Sequence, residues 1–251
     1  MTLYMIGIGL WDEKDITFKG LEAIRKCNKV FLENYTSKLG VSVDKLEKFY
    51  GKKIILADRE LVEKHNYEIL DPAKQECISF LVVGDVFSAT THTDLYLTAI
   101  KEGINVIVVN NASILNVIGI VGLELYKYGK TTSIPFHNKN VEAPYDVVKQ
   151  NKKNKLHTLL LLDIDAEHQK YMSVNDAIEY LLRVEEKRKE KVFTKQTKCI
   201  GVARLGSEKP KIISGSAEQL LKKDFGEPLH SLIVPGELHF VEEEAIKHWE
   251  R

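Results

Sequence analysis

Residues 78–83 (ISFLVV) are apolar but for Ser79 and stop at Gly84-Asp85. So short and unbroken a run reads as a strand buried on both faces, because a half-exposed strand would alternate. Strands covered on both sides belong to parallel sheets layered between helices, which narrows the fold more than any other feature of the chain. Past Thr90-Thr91 comes a helical pattern, Leu95, Leu97, Ala99 and Ile100, and then a second apolar run at 104–109 (INVIVV). Strand, helix and strand at that spacing form a βαβ unit, with a right-handed crossover. Asp85 then stands at the carboxyl end of a central strand, the edge where open α/β sheets take ligands. We read it as an acceptor for ligand hydroxyls or an ammonium group, with Gly84 allowing close backbone approach. The competing reading is a turn in which Asp85 is only a cap.

The same alternation extends upstream. Residues 3–10 (LYMIGIGL) read as a first buried strand ending in glycines, and Thr17 as the cap of a helix to about residue 27. Gly7-Ile8-Gly9 lets a backbone pass close to a ligand, and the helix behind it could offer amide donors. The dinucleotide fingerprint needs a third glycine where Asp12 stands, and Asp12, Glu13 and Asp15 repel a phosphate. Further strands are expected from 30 and at 53–57, with helices at 43–50 and, mostly, 61–75. The polar break Asn110-Asn111-Ala112-Ser113 marks a domain boundary, giving a parallel-sheet domain over 1–111 and a second domain over 112–251. An apolar helix over 114–126, capped by Ser113, would turn its amides toward the crevice of Asp85. Strands at 157–162, 199–205, 211–214 and 231–234, at hairpin spacings, predict a mixed sheet beside an amphipathic helix at 174–188. The charges at 185–191, and Lys149, Lys152, Lys153 and Lys155, read as solvated faces.

The 251 residues suit one large or two ordinary domains, and 44% hydrophobic with 29% charged residues predict a real core in a soluble protein. Lys+Arg and Asp+Glu both number 36, which argues against a nucleic-acid binder. No apolar run approaches the roughly 20 residues of a membrane span. Residues 1–10 meet Asp12, Glu13 and Asp15 at once and read as a strand, not a signal peptide. Cys27, Cys77 and Cys199 are odd in number and far apart, with neither a zinc pattern nor a disulfide framework, which fits a reducing cytoplasm. Metalloprotease, serine-hydrolase and paired-carboxylate motifs are missing from the sequence. The eight histidines are scattered; His230, just ahead of SLIVP, is the one placed to enter a cleft from the second domain. What remains is a small-ligand site that does not name a reaction.

Several longer strings do carry a name. LYMIGIGLWDEKDIT, GDVFSATTHTDL, NNASILNVIG, LHTLLLLDID, VARLGSEKP and DFGEPLHSLIVPGELHFVEEE span the chain end to end. Together they resemble the diphthine synthase family, part of the tetrapyrrole-methylase class of S-adenosylmethionine-dependent methyltransferases. The resemblance implies an α/β protein of two domains, a parallel sheet in the first and a mixed sheet in the second, with the active site in the cleft between them. It implies a cytoplasmic homodimer that methylates the amino group of a 3-amino-3-carboxypropyl-histidine on translation elongation factor 2, up to the trimethylammonium. Carried over by motif, the contacts to S-adenosylmethionine fall on Leu10, Asp85, Ser88, Ser113, Ile114, Leu161, Leu205 and His230. Val86 stands where the family usually has proline, and Ser88 where it has an apolar residue, so the rigidity of the cofactor turn is open. A methyl sulfonium is already activated, so neither a metal nor a nucleophilic side chain is called for, and no base is named. The competing readings are a corrin or porphyrin methyltransferase and a nucleotide-binding module without chemistry.

Overall fold

The computed structural model describes residues 1–137, 140–166 and 168–250, and the chain divides into two compact units, Met1–Val117 and Ile118–Arg251. The division falls a few residues beyond the polar break at Asn110–Ser113.

The first unit runs β1 (Thr2–Gly7), α1 (Phe18–Lys26), β2 (Lys29–Glu33), α2 (Val43–Tyr50), β3 (Ile55–Ala57), α3 (Arg59–Glu63), α4 (Tyr67–Ala73), β4 (Cys77–Val82), α5 (Thr93–Lys101), β5 (Asn105–Val109) and α6 (Ile114–Val117). Its five strands pair in the order β3-β2-β4-β1-β5, and every pairing is parallel. Both faces are covered, as the apolar runs require. Ile78, Phe80 and Val82 pack with Leu70, Leu95 and Ala99 from α4 and α5. Leu81 and Val83 pack on the other side with Ile24, Leu46 and Tyr50 from α1 and α2. Thr17 caps α1 through Gly20 N–H at 3.0 Å, as expected.

This layering fixes where a ligand can enter. β1 and β4 are neighbours, yet the chain leaves β1 toward α1 on one face and β4 toward α5 on the other. Adjacent parallel strands whose connections diverge open a crevice at their carboxyl ends. That crevice lies between the residues after Gly7 and the Gly84-Asp85 turn.

The second unit runs β6 (Thr132–Ile134), α7 (Ala143–Lys153), β7 (Thr158–Leu162), β8 (Ile164–Asp165), β9 (Lys170–Tyr171), α8 (Val174–Arg188), β10 (Lys198–Ala203), β11 (Lys211–Ser216), α9 (Ala217–Leu220), β12 (His230–Val234) and α10 (Phe240–Lys247). Its main sheet has the order β11-β10-β12-β7-β6, antiparallel except for β6 beside β7, so the sheet is mixed as expected. α8 starts with a capping box between Ser173 and Asp176 and lays Ala177, Ile178, Leu181 and Val184 on the core.

Two expectations need correcting. The helix over 114–126 is instead α6, a 3-10 turn at Ile118–Val121 and another at Leu125–Lys127. Gly122 interrupts it at φ 89°, where a Cβ would lie 2.3 Å from Ala245 Cβ, so α10 requires a glycine there. Nor is the charge run at 185–191 simply solvated. Glu185 accepts from Tyr145 OH at 2.7 Å and from the amides of Lys191, Val192 and Phe193 at 2.6–2.9 Å. Of the other lysines, Lys152 donates to Val192 O at 2.7 Å and Lys149 pairs with Glu190 at 3.0 Å.

Candidate cofactor site

Gly9 and Gly84 face each other beyond β1 and β4. Gly84 N–H donates to Gly9 O at 2.6 Å, and Gly9 N–H donates to Gly84 O at 3.2 Å. Gly9 has φ 79° and Gly84 φ 82°, a region open mainly to glycine. A Cβ on Gly7 would meet Gly84 O at 2.6 Å, and one on Gly9 would meet Asp15 Cβ at 2.3 Å. Gly7 and Gly9 therefore make room for the chain's own turns rather than opening directly on a ligand. Gly84 differs: its nearest neighbours, Ala112 O, Leu10 Cδ2 and Ser113 Cα, all lie 3.8 Å from the place of a Cβ. Leu10, the Gly84-Asp85 turn and Ser113 thus meet at one spot, with Ile114 next in the chain.

The amides after β1 are already engaged. Asp15 Oδ2 accepts from the N–H groups of Leu10 at 3.1 Å, Trp11 at 2.7 Å and Asp12 at 3.4 Å. The chain's own carboxylate fills the nest that a phosphate would need, which removes the physical basis of a nucleotide-phosphate site there. The expected amide donors at Ser113 are likewise reduced, since Ser113 N–H donates to Asn116 Oδ1 at 2.8 Å and Leu115 N–H to Ser113 Oγ at 3.3 Å.

Asp85 is the organiser of the turn. Its Oδ1 accepts from Phe87 N–H and Ser88 Oγ, and its Oδ2 from Asn110 Nδ2 and Asn111 N–H, all at 3.1 Å. Burial, which leaves it 8% exposed, pushes its carboxyl pKa up; the bonds from Asn111, Asn110, Phe87 and Ser88 outweigh this and hold it below the ordinary value. A carboxylate offers about four lone-pair sites, and this one fills them internally. Direct acceptance of a ligand hydroxyl therefore gives way to a strap that ties the β4 turn to the end of β5. Asn111 extends the strap, donating through Nδ2 to Gly7 O and Asp15 O at 3.0 Å each. Sequence reasoning passed over Asn110 and Asn111 except as a polar break. Two adjacent asparagines directly after a buried strand were the available signal.

In the second unit, Leu161 on β7 stands opposite Ser231, and His230 opposite Ala203 on β10. Arg204 N–H donates to Leu229 O at 2.9 Å, so Leu205, Leu161 and His230 gather at one end of the sheet. His230 Nε2 lies 3.0 Å from both Gly226 O and Glu227 O and must carry the proton it donates. Its Nδ1 is buried without a partner, and burial lowers its pKa, so the ring is neutral and keeps a free acceptor. Among the described residues there is no cluster of three or more metal-ligating side chains.

A parallel-sheet unit with a switch-point crevice, followed by a mixed-sheet unit, matches the model of the tetrapyrrole (corrin/porphyrin) methylases over residues 2–221. The chain is 50% identical to the diphthine methyl ester synthase of Dictyostelium discoideum, covering 97% of this chain and 96% of that one. It is 47% identical to the diphthine synthase of Methanococcus aeolicus, covering 98% and 97%. A crystal structure of diphthine synthase superposes with a TM-score of 0.92 at 35% identity, covering 100% of this chain and 96% of that one. The chain belongs to the tetrapyrrole methylase family and, within it, to the diphthine synthases. It is a methyltransferase of diphthamide biosynthesis.

Proposed function

We propose that the protein transfers methyl groups from S-adenosylmethionine to the amino group of a 3-amino-3-carboxypropyl-histidine on translation elongation factor 2, up to the trimethylammonium. The observation that carries the reading is the meeting of Leu10, the Gly84-Asp85 turn and Ser113 at the switch point. The spot is lined by main-chain atoms and a leucine side chain, and the neighbouring phosphate nest is closed by Asp15. Such a set of atoms suits a nucleoside without phosphates, and within the second unit the unpartnered Nδ1 of His230 is an acceptor for an amino or hydroxyl group. We assign Leu10, Asp85, Ser88, Ser113 and Ile114 to cofactor binding, with Leu161, Leu205 and His230 contributing from the second unit. When bound, the sulfonium supplies an activated methyl group. The protein's own part is to fix the turn through Asp85, to exclude water, and to hold a neutral amine in line. Because the protein substrate is a translation factor, we place the enzyme in the cytoplasm, as a homodimer.

Mass spectrometry of elongation factor 2 bearing the histidine precursor, after incubation with enzyme and cofactor, tests the proposal. Successive methyl additions on the precursor's amine are expected. An unmodified factor alongside turnover of a tetrapyrrole would move the assignment to the porphyrin branch. The two relatives' names also divide over a methyl ester. The higher identity to the Dictyostelium protein favours a second reading, in which a carboxylate is methylated as well. A further methyl lost on mild alkaline treatment, with the trimethylammonium retained, would distinguish it.

A further inference from the structure

Cys27 and Cys77 are fifty residues apart in the chain, yet their sulfurs meet at 2.6 Å. The sequence gives no hint of this, because the contact depends on β4 lying beside β2. Cys27 ends α1, with its N–H on Ile24 O, and Cys77 opens β4. The backbones are clamped together: Asn28 N–H donates to Cys77 O at 2.7 Å, and Cys77 N–H to Asn28 Oδ1 at 3.2 Å. The two thiols differ in access. Cys27 is fully buried and its pKa is pushed up, by burial first and by the neighbouring Cys77 thiol next, so it stays protonated. Cys77 is half-buried, the more accessible residue of the two. Cys199, the third cysteine, is fully buried in the other unit.

We propose that Cys27 and Cys77 are a modification site, converted by hydrogen peroxide into a reversible disulfide. The Cys77 thiolate attacks one peroxide oxygen, the O–O bond breaks, and hydroxide leaves and takes up the thiol proton as water. Cys77 is then a sulfenic acid. The Cys27 sulfur attacks it, the S–S bond forms as the S–O bond breaks, and the departing hydroxide removes the Cys27 proton as a second water. Two thiols are oxidised and one peroxide is reduced to two waters. A dithiol reductant reverses the step by exchange.

The site lies at the amino end of β4, whereas the Gly84-Asp85 turn follows its carboxyl end, about 20 Å away for a six-residue strand. Oxidation therefore leaves cofactor affinity unchanged. The bond closes a loop that contains β2, α2, β3, α3 and α4, and so restrains the unfolded chain. A rise in Tm of about 5 °C is expected. None of this depends on which molecule the enzyme methylates.

The test is to treat the full-length protein with hydrogen peroxide, block free thiols by alkylation, and map peptides without reduction. The expected result is a linked Cys27–Cys77 peptide pair, an alkylated Cys199 under denaturing conditions, and full reversal by dithiothreitol. Cys27→Ser should leave a sulfenic acid on Cys77 that dimedone traps, and should abolish the rise in Tm. Cys77 carried to the sulfinic acid beside an alkylated Cys27 would overturn the proposal, as would alkylation of both. A linked pair with unchanged Tm would overturn the stapling role.

Discussion

Asp85 shows how a single residue can serve a site without facing the ligand. Its four internal donors hold the β4 turn against the end of β5, so removing the carboxylate frees the turn and leaves the Asn110 and Asn111 groups unpaired. Asp85→Ala should weaken cofactor binding at least about tenfold, equivalent to about 1.4 kcal/mol. Calorimetry reads it, and an unchanged affinity would take Asp85 out of the binding machinery. Ser88 stands where the resemblance implies an apolar residue, and its hydroxyl supplies one of those four bonds. Val86, in place of proline, is fully buried, and its carbonyl accepts from Thr90 Oγ1 at 2.7 Å. The turn thus gains through hydrogen bonds the rigidity that a proline ring would give. Ser88→Ala should raise the cofactor Kd by about two- to tenfold, the value of one ordinary hydrogen bond.

His92, at the far end of the same turn, is fully buried edge-on to Phe80 and Tyr35, with both ring nitrogens unpartnered. Burial pulls its pKa down to about 4, from 6.5. Between those values the unfolded chain binds a proton that the folded one refuses, so stability falls as pH is lowered through 6.5 toward 4. The loss from pH 7 to pH 5 should be about 2 kcal/mol from this group. Urea unfolding at the two pH values should show it in the wild type and much less of it in His92→Phe.

At the scale of elements, the second unit is fastened by α10. Glu242, 1% exposed, accepts from Glu124 N–H at 3.0 Å, His157 Nε2 at 2.9 Å and His239 N–H at 2.9 Å, and pairs with Lys127. His157 Nδ1 in turn accepts from Gly236 N–H at 3.0 Å, which fixes the tautomer. Burial works against the charge, but these donors and Lys127 hold the Glu242 carboxyl at about 2. Its contribution is present above the ordinary carboxylate pKa and is lost as pH falls toward 2. Glu242→Ala strands the buried His157 and the amides of Glu124 and His239, while the half-buried Lys127 keeps only Glu237 O, and it should cost about 3 kcal/mol in chemical denaturation. Gly122→Ala, by contrast, acts through sterics against Ala245 and should cost about 2 kcal/mol or more.

Legibility followed periodicity. α8 was legible because its apolar residues recur at helical spacing over four turns, and β4 because both its faces are apolar. α7 and α10 were not read. α7 places Tyr145, Val147 and Val148 in its first half and then turns to lysine, asparagine and glutamine. α10 buries only Glu242 and Ile246 while Phe240 and Val241 stay exposed, so its pattern points the wrong way.

For the whole molecule, the proposed chemistry has a pH signature of its own. The attacking amine must be neutral, so methyl transfer at low substrate should rise with pH, about tenfold per unit as long as the pH lies below the amine's pKa. A flat profile from pH 6 to 8, with binding unaffected, would point to a nucleophile other than an amine. The closed nest at Asp15 likewise predicts that adenosine phosphates compete with S-adenosylhomocysteine no better than adenosine does.

By itself, the sequence determined the alternation of strands and helices, the parallel sheet of the first unit, and the polar turn at Gly84-Asp85. These follow from which side chains must leave water along a local stretch, and a local pattern records that. Only the tertiary structure decided that Asp15 fills the nest after β1, that Asn110 and Asn111 bind Asp85, and that Cys27 touches Cys77. Asp15 reaches back only three to five residues within one loop, but the other two contacts join strands through the order β3-β2-β4-β1-β5. That order arises from packing helices on both faces of one sheet, a property of the assembled layers that no short window of residues contains.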